Sequence, residues 1–470
     1  MASFSDEEVA TISKRVVVLV DSEMHLQHPQ ECRVNQALPD TADCPLYALV
    51  LCCWNNILGP HAKCIWLTEG KEQRFTANHI AYLSTHTLTS CEQPQSTIDT
   101  KVLILPERGI VATVFLFSGH DYDEKTIFAL SLVIPYEEYR WYLPLHELCV
   151  ARLTTMIRRL RVLQEKNKDE NNDSSLMAFS DEVPSFIRVV TLLKTHGLPS
   201  RVELGDTVFA PGHAKQLDDQ FTKIAIASHL QTCGCSIILG NTAADVNMMI
   251  STLALFLSPT ERHCCLYLDD VPRVYQKDVL IQGFLKNSIS LDDYLRVIMT
   301  SQYPTTLIDL VTLEVKQTLH YNQHAYRRHE ATSQELQCLW LNSDEPLRYS
   351  PVVHFSNKPE AETIVQKFWK EINRLQDNCR IRETYIEEFL RLLDRKAVSL
   401  IKYVEEETNR GTKPSRLVLK RLKSDLHLIP EGDFRIVIAM AEKLQPGVYT
   451  LVCGNPALPR DSYNDLVTPS

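Results

Sequence analysis

Glycine is scarce, 14 of 470 residues, well under the usual share of roughly 7%. Loops that let a backbone close around phosphates have little material to be built from. Neither a GxGxxG nor a GxxxxGK followed by Ser or Thr occurs, so a self-contained phosphate-transfer enzyme is disfavoured. Basic charge is also in deficit: 49 Lys and Arg stand against 59 Asp and Glu, a net charge of -10. No segment concentrates enough cations to neutralise a phosphate backbone, which speaks against nucleic acid as a partner. Long apolar runs are missing too. The most apolar stretches, 46–54 and 110–117, fall far short of the ~20 residues that a membrane-spanning helix needs. The start, MASFSDEEVA, is acidic and lacks the basic region and apolar core of a secretory signal.

Cysteine, by contrast, is plentiful at 14 residues, but no two have the spacing of a zinc knuckle. The closest groupings, Cys52-Cys53, Cys233-Gly234-Cys235 and Cys264-Cys265, lie in or beside apolar runs. They read as buried free thiols of a protein kept in a reducing cytoplasm. No metal and no cofactor is expected.

With 44% hydrophobic and 23% charged residues, the chain has globular composition and length for two or three domains. Residues 1–45 hold one short apolar run, 16–20, and read as a flexible leader. From residue 46 the pattern is one of strands: LYALVLCCW, AKCIWL, KVLILP, GIVATVFLF and FALSLVIP, rich in residues that suit a pleated surface. Short turns at Ile57-Leu58-Gly59-Pro60 and Pro106-Glu107-Arg108-Gly109 fit antiparallel hairpins. Apolar residues at helical spacing predict a helix over 77–88 and another over 144–165. The first domain, 46–165, is therefore a five-stranded antiparallel sheet with helices. Residues 166–185, KNKDENNDSSLMAFSDEVPS, are polar enough to read as a linker. Over 186–316 strands come singly between helices, as a parallel or mixed sheet of an α/β core requires. Residues 317–357 read as a long loop, 358–445 as a helical C-terminal part, and 446–470, with four prolines, as an extended tail.

Each motif that suggests chemistry has a plainer reading. In GCSIILGNTAADV, Gly240 and Asn241 precede a helix whose free amides could hold an anion, but the signature is incomplete. A strand-to-helix connection capped by Asn241 or Thr242 is favoured. His320, His324 and His329 cluster without the glutamate of a metalloprotease helix and read as surface residues. Paired acids such as Asp218-Asp219 and the run Glu405-Glu406-Glu407 read as solvated charge. Arg108 and Arg140 could serve as arginine fingers toward a bound GTP. A solvated turn residue or a guanidinium stacked on an aromatic ring is favoured for each. The residues therefore point to a protein that works through surfaces.

Six segments carry a family resemblance: WNNILGP at 54–60, YLPLHELCVARLTTMIRR at 142–159, SHLQTCGCSIILG at 228–240, YPTTLID at 303–309, LIKYVEEET at 400–408 and EGDFRIVIAMAEKLQPG at 431–447. In this order, from about 46 to 455, the chain resembles the longin plus DENN family. The resemblance implies a longin domain followed by a DENN module, α+β and then α/β with a helical C-terminal part. It also implies regulation of small GTPases in membrane traffic and autophagy. The chain would be one subunit of a heteromeric longin-DENN complex with guanine-nucleotide exchange activity toward Rab GTPases. The alternative it implies is a non-catalytic scaffold in a GTPase-activating complex for Arf and Rab proteins, with the arginine finger on the partner. The implied partners are a longin-DENN subunit of the Smith-Magenis region candidate eight type and, through the complex, a WD-repeat subunit. The implied location is the cytoplasm, with peripheral recruitment to lysosomes and to autophagic or endosomal membranes, and the nucleus as a further location. In longin topology the third strand is an edge, and edges leave backbone groups unpaired. Lys101, Val102, Leu103, Ile104 and Leu105, with the helix 77–88 beside them, are the candidate partner interface.

Overall fold

Alternation of side chains across a pleated strand lets an antiparallel sheet bury both of its faces under helices. The computed structural model describes residues 34–38, 43–71, 73–89, 97–121, 124–167, 173–210, 218–269, 274–341, 355, 358–360, 362–409 and 416–454. They form two units: the described residues through Thr195 together with 336–341, and the remaining described residues from His196 onward.

The first unit contains β1 (Val34–Leu38), β2 (Ala48–Asn55), β3 (Gly59–Thr68), α1 (Ala77–Leu88), β4 (Asp99–Leu105), β5 (Ile110–Asp121) and β6 (Glu124–Pro135). Strands β2 to β6 form the expected five-stranded antiparallel sheet, and the strand order is β1-β3-β2-β6-β5-β4. Strand β1, inside the segment read as a leader, adds a sixth strand parallel to β3. Its sequence VNQAL is short and half polar, so it carries no strand signal of its own and gains its partners only from β3. The run 16–20 lies outside the described residues.

Helix α1 covers one face of the sheet, where Leu83 and Leu88 pack with Val50, Ile65, Ala112, Val114 and Val133. The other face is met by α2 (His146–Lys166), which buries Leu153, Met156, Ile157 and Leu160. Burial of each such side chain contributes about 1.5–3 kcal/mol. Within residues 166–185, read as a linker, α3 (Asp173–His196) is helical instead. Leu176, Phe179, Val183, Phe186, Ile187 and Val190 are all buried. Their spacing is helical, and the polar residues between them mask it. The Trp66 indole N–H donates to Ser180 Oγ at 3.1 Å, and its ring lies 5.2 Å from that of Phe179, which ties α3 to the sheet.

The second unit holds α4 (Asp219–Gln231), β7 (Ser236–Gly240), α5 (Ala243–Ala254), β8 (Cys265–Leu266), β9 (Ile281–Leu285), β10 (Thr306–Asp309) and β11 (Glu314–Gln317). Strand order is β11-β10-β7-β9-β8, with only the β10–β11 pair antiparallel, the mixed α/β sheet that the isolated strands imply. Residues read as a long loop include α6 (Tyr321–Leu341). Its polarity on nearly every side hides the helical period, yet His324 and Leu336 are buried. Then follow α7 (Ile364–Ile372), α8 (Cys379–Asn409), α9 (Arg416–Asp425) and α10 (Glu431–Leu444), the helical part expected from the pattern. The tail read as extended begins instead with α11 (Val448–Cys453). Residues 455–470 lie outside the described ones.

Two carboxylates organise these helices from a distance. Asp433 on α10 accepts hydrogen bonds from Thr363 N at 2.7 Å, Ile364 N at 3.0 Å and Thr363 Oγ1 at 2.6 Å, capping the start of α7. Glu442 accepts from Gly447 N at 2.8 Å and Tyr449 N at 2.7 Å, capping α11. In the sheet, α5 approaches β7 and β9 closely because Gly240 and Gly283 leave room for Val246. A Cβ at Gly283 would lie 2.2 Å from Val246 Cγ1 and 3.0 Å from Ile250 Cδ1. Gly283→Ala is therefore expected to lower stability by about 1–3 kcal/mol. Adding Val246→Ala should recover part of that loss, a coupling that a double-mutant cycle in urea measures.

Candidate interaction surface

Strand β4 is paired on one side only, in register with β5 from Asp99↔Leu116 to Leu105↔Ile110, and stands at the edge of the sheet. Its other backbone edge meets no strand among the described residues. The five residues singled out from the sequence all lie here and divide between two faces. Leu103 and Leu105 are partly buried against the core under α1. Val102 and Ile104 point the opposite way, 43% and 45% exposed. Lys101 is exposed and lies 3.6 Å from Asp99.

The end of this edge is held in place by α1. Gly109, at φ 66°, turns the chain after Pro106–Arg108, a conformation that costs glycine little. The His79 Nε2–H donates to the Arg108 carbonyl at 3.2 Å, while its Nδ1 accepts from Thr76 N at 3.1 Å. The Arg108 guanidinium lies over the Tyr82 ring, 3.8 Å from its centroid.

A second exposed surface was not legible in the sequence as more than a turn. The tip between β2 and β3 exposes Ile57 at 92%, with Leu58 and Trp54 beside it. It is ordered by the Asn55 side chain, whose oxygen accepts from Ile57 N at 2.8 Å and Leu58 N at 3.0 Å. The available signal was two aliphatic residues where turns are normally polar.

The motifs weighed for chemistry are occupied structurally. Thr242 caps α5, accepting from Asp245 N at 3.2 Å. Of the three histidines read as surface residues, His324 is fully buried, because α6 turns it inward to bond the Ser301 carbonyl oxygen from Nε2 at 2.9 Å. His320 instead lies against Arg435. Among the described residues, no group of His, Cys, Asp and Glu could hold a metal ion, and no helix is long and apolar enough to cross a membrane. The paired cysteines Cys52, Cys53, Cys233, Cys235 and Cys265 are buried and Cys264 is partly buried.

Burial lowers the His324 pKa from 6.5 to about 4. Burial, helped by Lys443, lowers that of His229 to about 3. Both imidazoles bind protons more weakly folded than unfolded, so their stabilising effect is whole above pH 6.5 and is lost as pH falls toward 4 and 3. The melting temperature of the second unit should be lower at pH 5 than at pH 7.5 by roughly 5–10 °C. His324→Gln, which keeps a donor for Ser301, should shrink that difference by about half, as calorimetry across the two pH values would show.

Among the described residues, the first unit presents a strand edge with no pairing strand and an apolar hairpin tip. The profile of the C9orf72-like protein family matches residues 80–324, and the chain belongs to that family. It is similar to a human protein named guanine nucleotide exchange factor C9orf72, 32% identical over 445 residues, which cover 88% of this chain and 92% of the human one. It is also similar to the mouse homolog of that protein, 32% identical over 449 residues, covering 88% and 93%.

Proposed function

We propose that the chain regulates small GTPases in membrane traffic and autophagy by promoting release of bound guanine nucleotide from a Rab. In this reading it is one subunit of a complex of two longin-DENN proteins, joined by a WD-repeat subunit. The similarity to relatives named guanine nucleotide exchange factors carries the reading. An exchange factor needs no reactive group: it binds the nucleotide-free GTPase more tightly than the loaded one, and differential binding alone shifts the population. The Trp54, Ile57 and Leu58 tip supplies apolar area for a GTPase surface. Strand β4 supplies backbone donors and acceptors to which a strand of the partner subunit can add.

Purified complex should accelerate release of a fluorescent GDP analogue from one member of a Rab and Arf panel. Ile57→Asp should cut that acceleration by about tenfold or more. Acceleration that does not depend on this chain would remove the exchange reading. Val102→Glu with Ile104→Glu should abolish co-purification with the partner subunit while the thermal transition stays cooperative; retained binding would refute the β4 interface. A second reading, a scaffold for a GTPase-activating complex acting on Arf and Rab proteins, is favoured by one observation. Arg108, one of the two arginines weighed as a finger, is held over Tyr82, which fits a finger supplied by the partner. In that case GTP hydrolysis is lost only when the partner's arginine is replaced.

A further inference from the structure

At the end of the first sheet, where side chains of β2, β3 and β5 meet, a nucleophile sits beside a base whose tautomer is fixed. Cys53 and His61 are cross-strand neighbours on β2 and β3. The Cys53 sulfur lies 3.3 Å from His61 Nε2. The other ring nitrogen, Nδ1, lies 3.2 Å from the Gly59 carbonyl oxygen. A carbonyl only accepts, so Nδ1 carries the hydrogen, and the lone pair of Nε2 faces the thiol. This is the logic of an activated nucleophile: a sulfur, a base within reach of its proton, and a third group that orients the base.

Charge around the pair is arranged for the same end. Asp121 Oδ2 lies 4.0 Å from the sulfur and would repel a thiolate if it stood alone. The Lys63 ammonium is ion-paired with Asp121 and offsets that charge. The cluster also borders an unmet polar group. Gln164 on α2 is 1% exposed, and neither its oxygen nor its nitrogen has a hydrogen-bond partner among the described residues. It presses on Gly119, where a Cβ would lie 2.4 Å from its Oε1. Gly119 precedes Asp121 by two residues on the same face of β5. Cys53 is fully buried, so an oxidant reaches it only on local opening of the strand ends, where His61 and Asp121 reach the surface.

We propose that Cys53 is a peroxide-reactive thiol, with His61 as its proton acceptor and hydrogen peroxide or a small hydroperoxide as the oxidant. His61 Nε2 takes the thiol proton as the sulfur attacks one peroxide oxygen. The S–O bond forms, the O–O bond breaks, and the leaving hydroxide takes the proton back from His61 as water. Cysteine is oxidised by two electrons to sulfenic acid and the peroxide is reduced by two.

The test exposes the full-length chain to hydrogen peroxide, captures sulfenic acid with dimedone, and compares adduct rates by peptide mass spectrometry. Cys338 and Cys379, more exposed than Cys53, serve as internal references. Cys53 should react faster than both, and His61→Gln should slow it by about tenfold or more without changing the references. If the glutamine variant does not fold, the ratio of the Cys53 rate to those of the two references in the unsubstituted chain decides. A Cys53 rate no greater than that of Cys379, or one left unchanged in a folded His61→Gln variant, would overturn the proposal.

Discussion

An unpaired backbone edge is an obligation, because each amide and carbonyl along it must find water or a partner. Strand β4 carries that obligation at one edge of the first sheet, and the surrounding structure fits it. Folded proteins usually blunt such edges with charge or proline. Here Asp99 and Lys101 guard one end and Pro106 the other, while Val102 and Ile104 remain exposed between them. The inward residues Leu103 and Leu105 fix the strand's rotation, and the contacts of His79 and Tyr82 with Arg108 fix its exit. A strand held in this way loses little conformational entropy when another strand is added.

Polar groups inside the second unit are committed to one another. Thr306 Oγ1 lies 2.8 Å from both Ser228 Oγ and Thr232 Oγ1. Gln317 donates to Ser228 Oγ at 2.9 Å and to Gln231 Oε1 at 3.1 Å. This network joins α4 to β10 and β11, and groups so committed specify packing rather than turnover. The aromatic cluster of Phe256, Phe368 and Phe389, with centroids 5.5 Å and 4.3 Å apart, ties α7 and α8 to the same core.

What could be read from sequence was whatever had a strong period. The strands β2 to β6 show in the apolar runs at their centres, with β3, β5 and β6 extending past those runs, and the helix Ala77–Leu88 shows in its period. Other elements escaped for distinct reasons, among them β1, the first half of α3 and α6. Strand β1 is too short to show alternation, the start of α3 sits behind a polar run and contains Pro184, and α6 is polar on nearly every side. Their stability comes from tertiary contacts, which local pattern does not contain. The edge position of β4 followed from the family resemblance. The Cys53–His61 contact could not be read from sequence, because it depends on which residues face each other across β2 and β3 and on a register shift between Leu51 and Cys52.

Asp433 closes the start of α7 from 70 positions further along the chain. A ribosome making this protein releases residues 363 and 364 well before the carboxylate that completes them. At the ~5–20 residues per second of synthesis, the amides of Thr363 and Ile364 wait several seconds for that acceptor. The interval gives chaperones a defined moment at which Phe368 and Trp369 have emerged but the aspartate that anchors their helix has not.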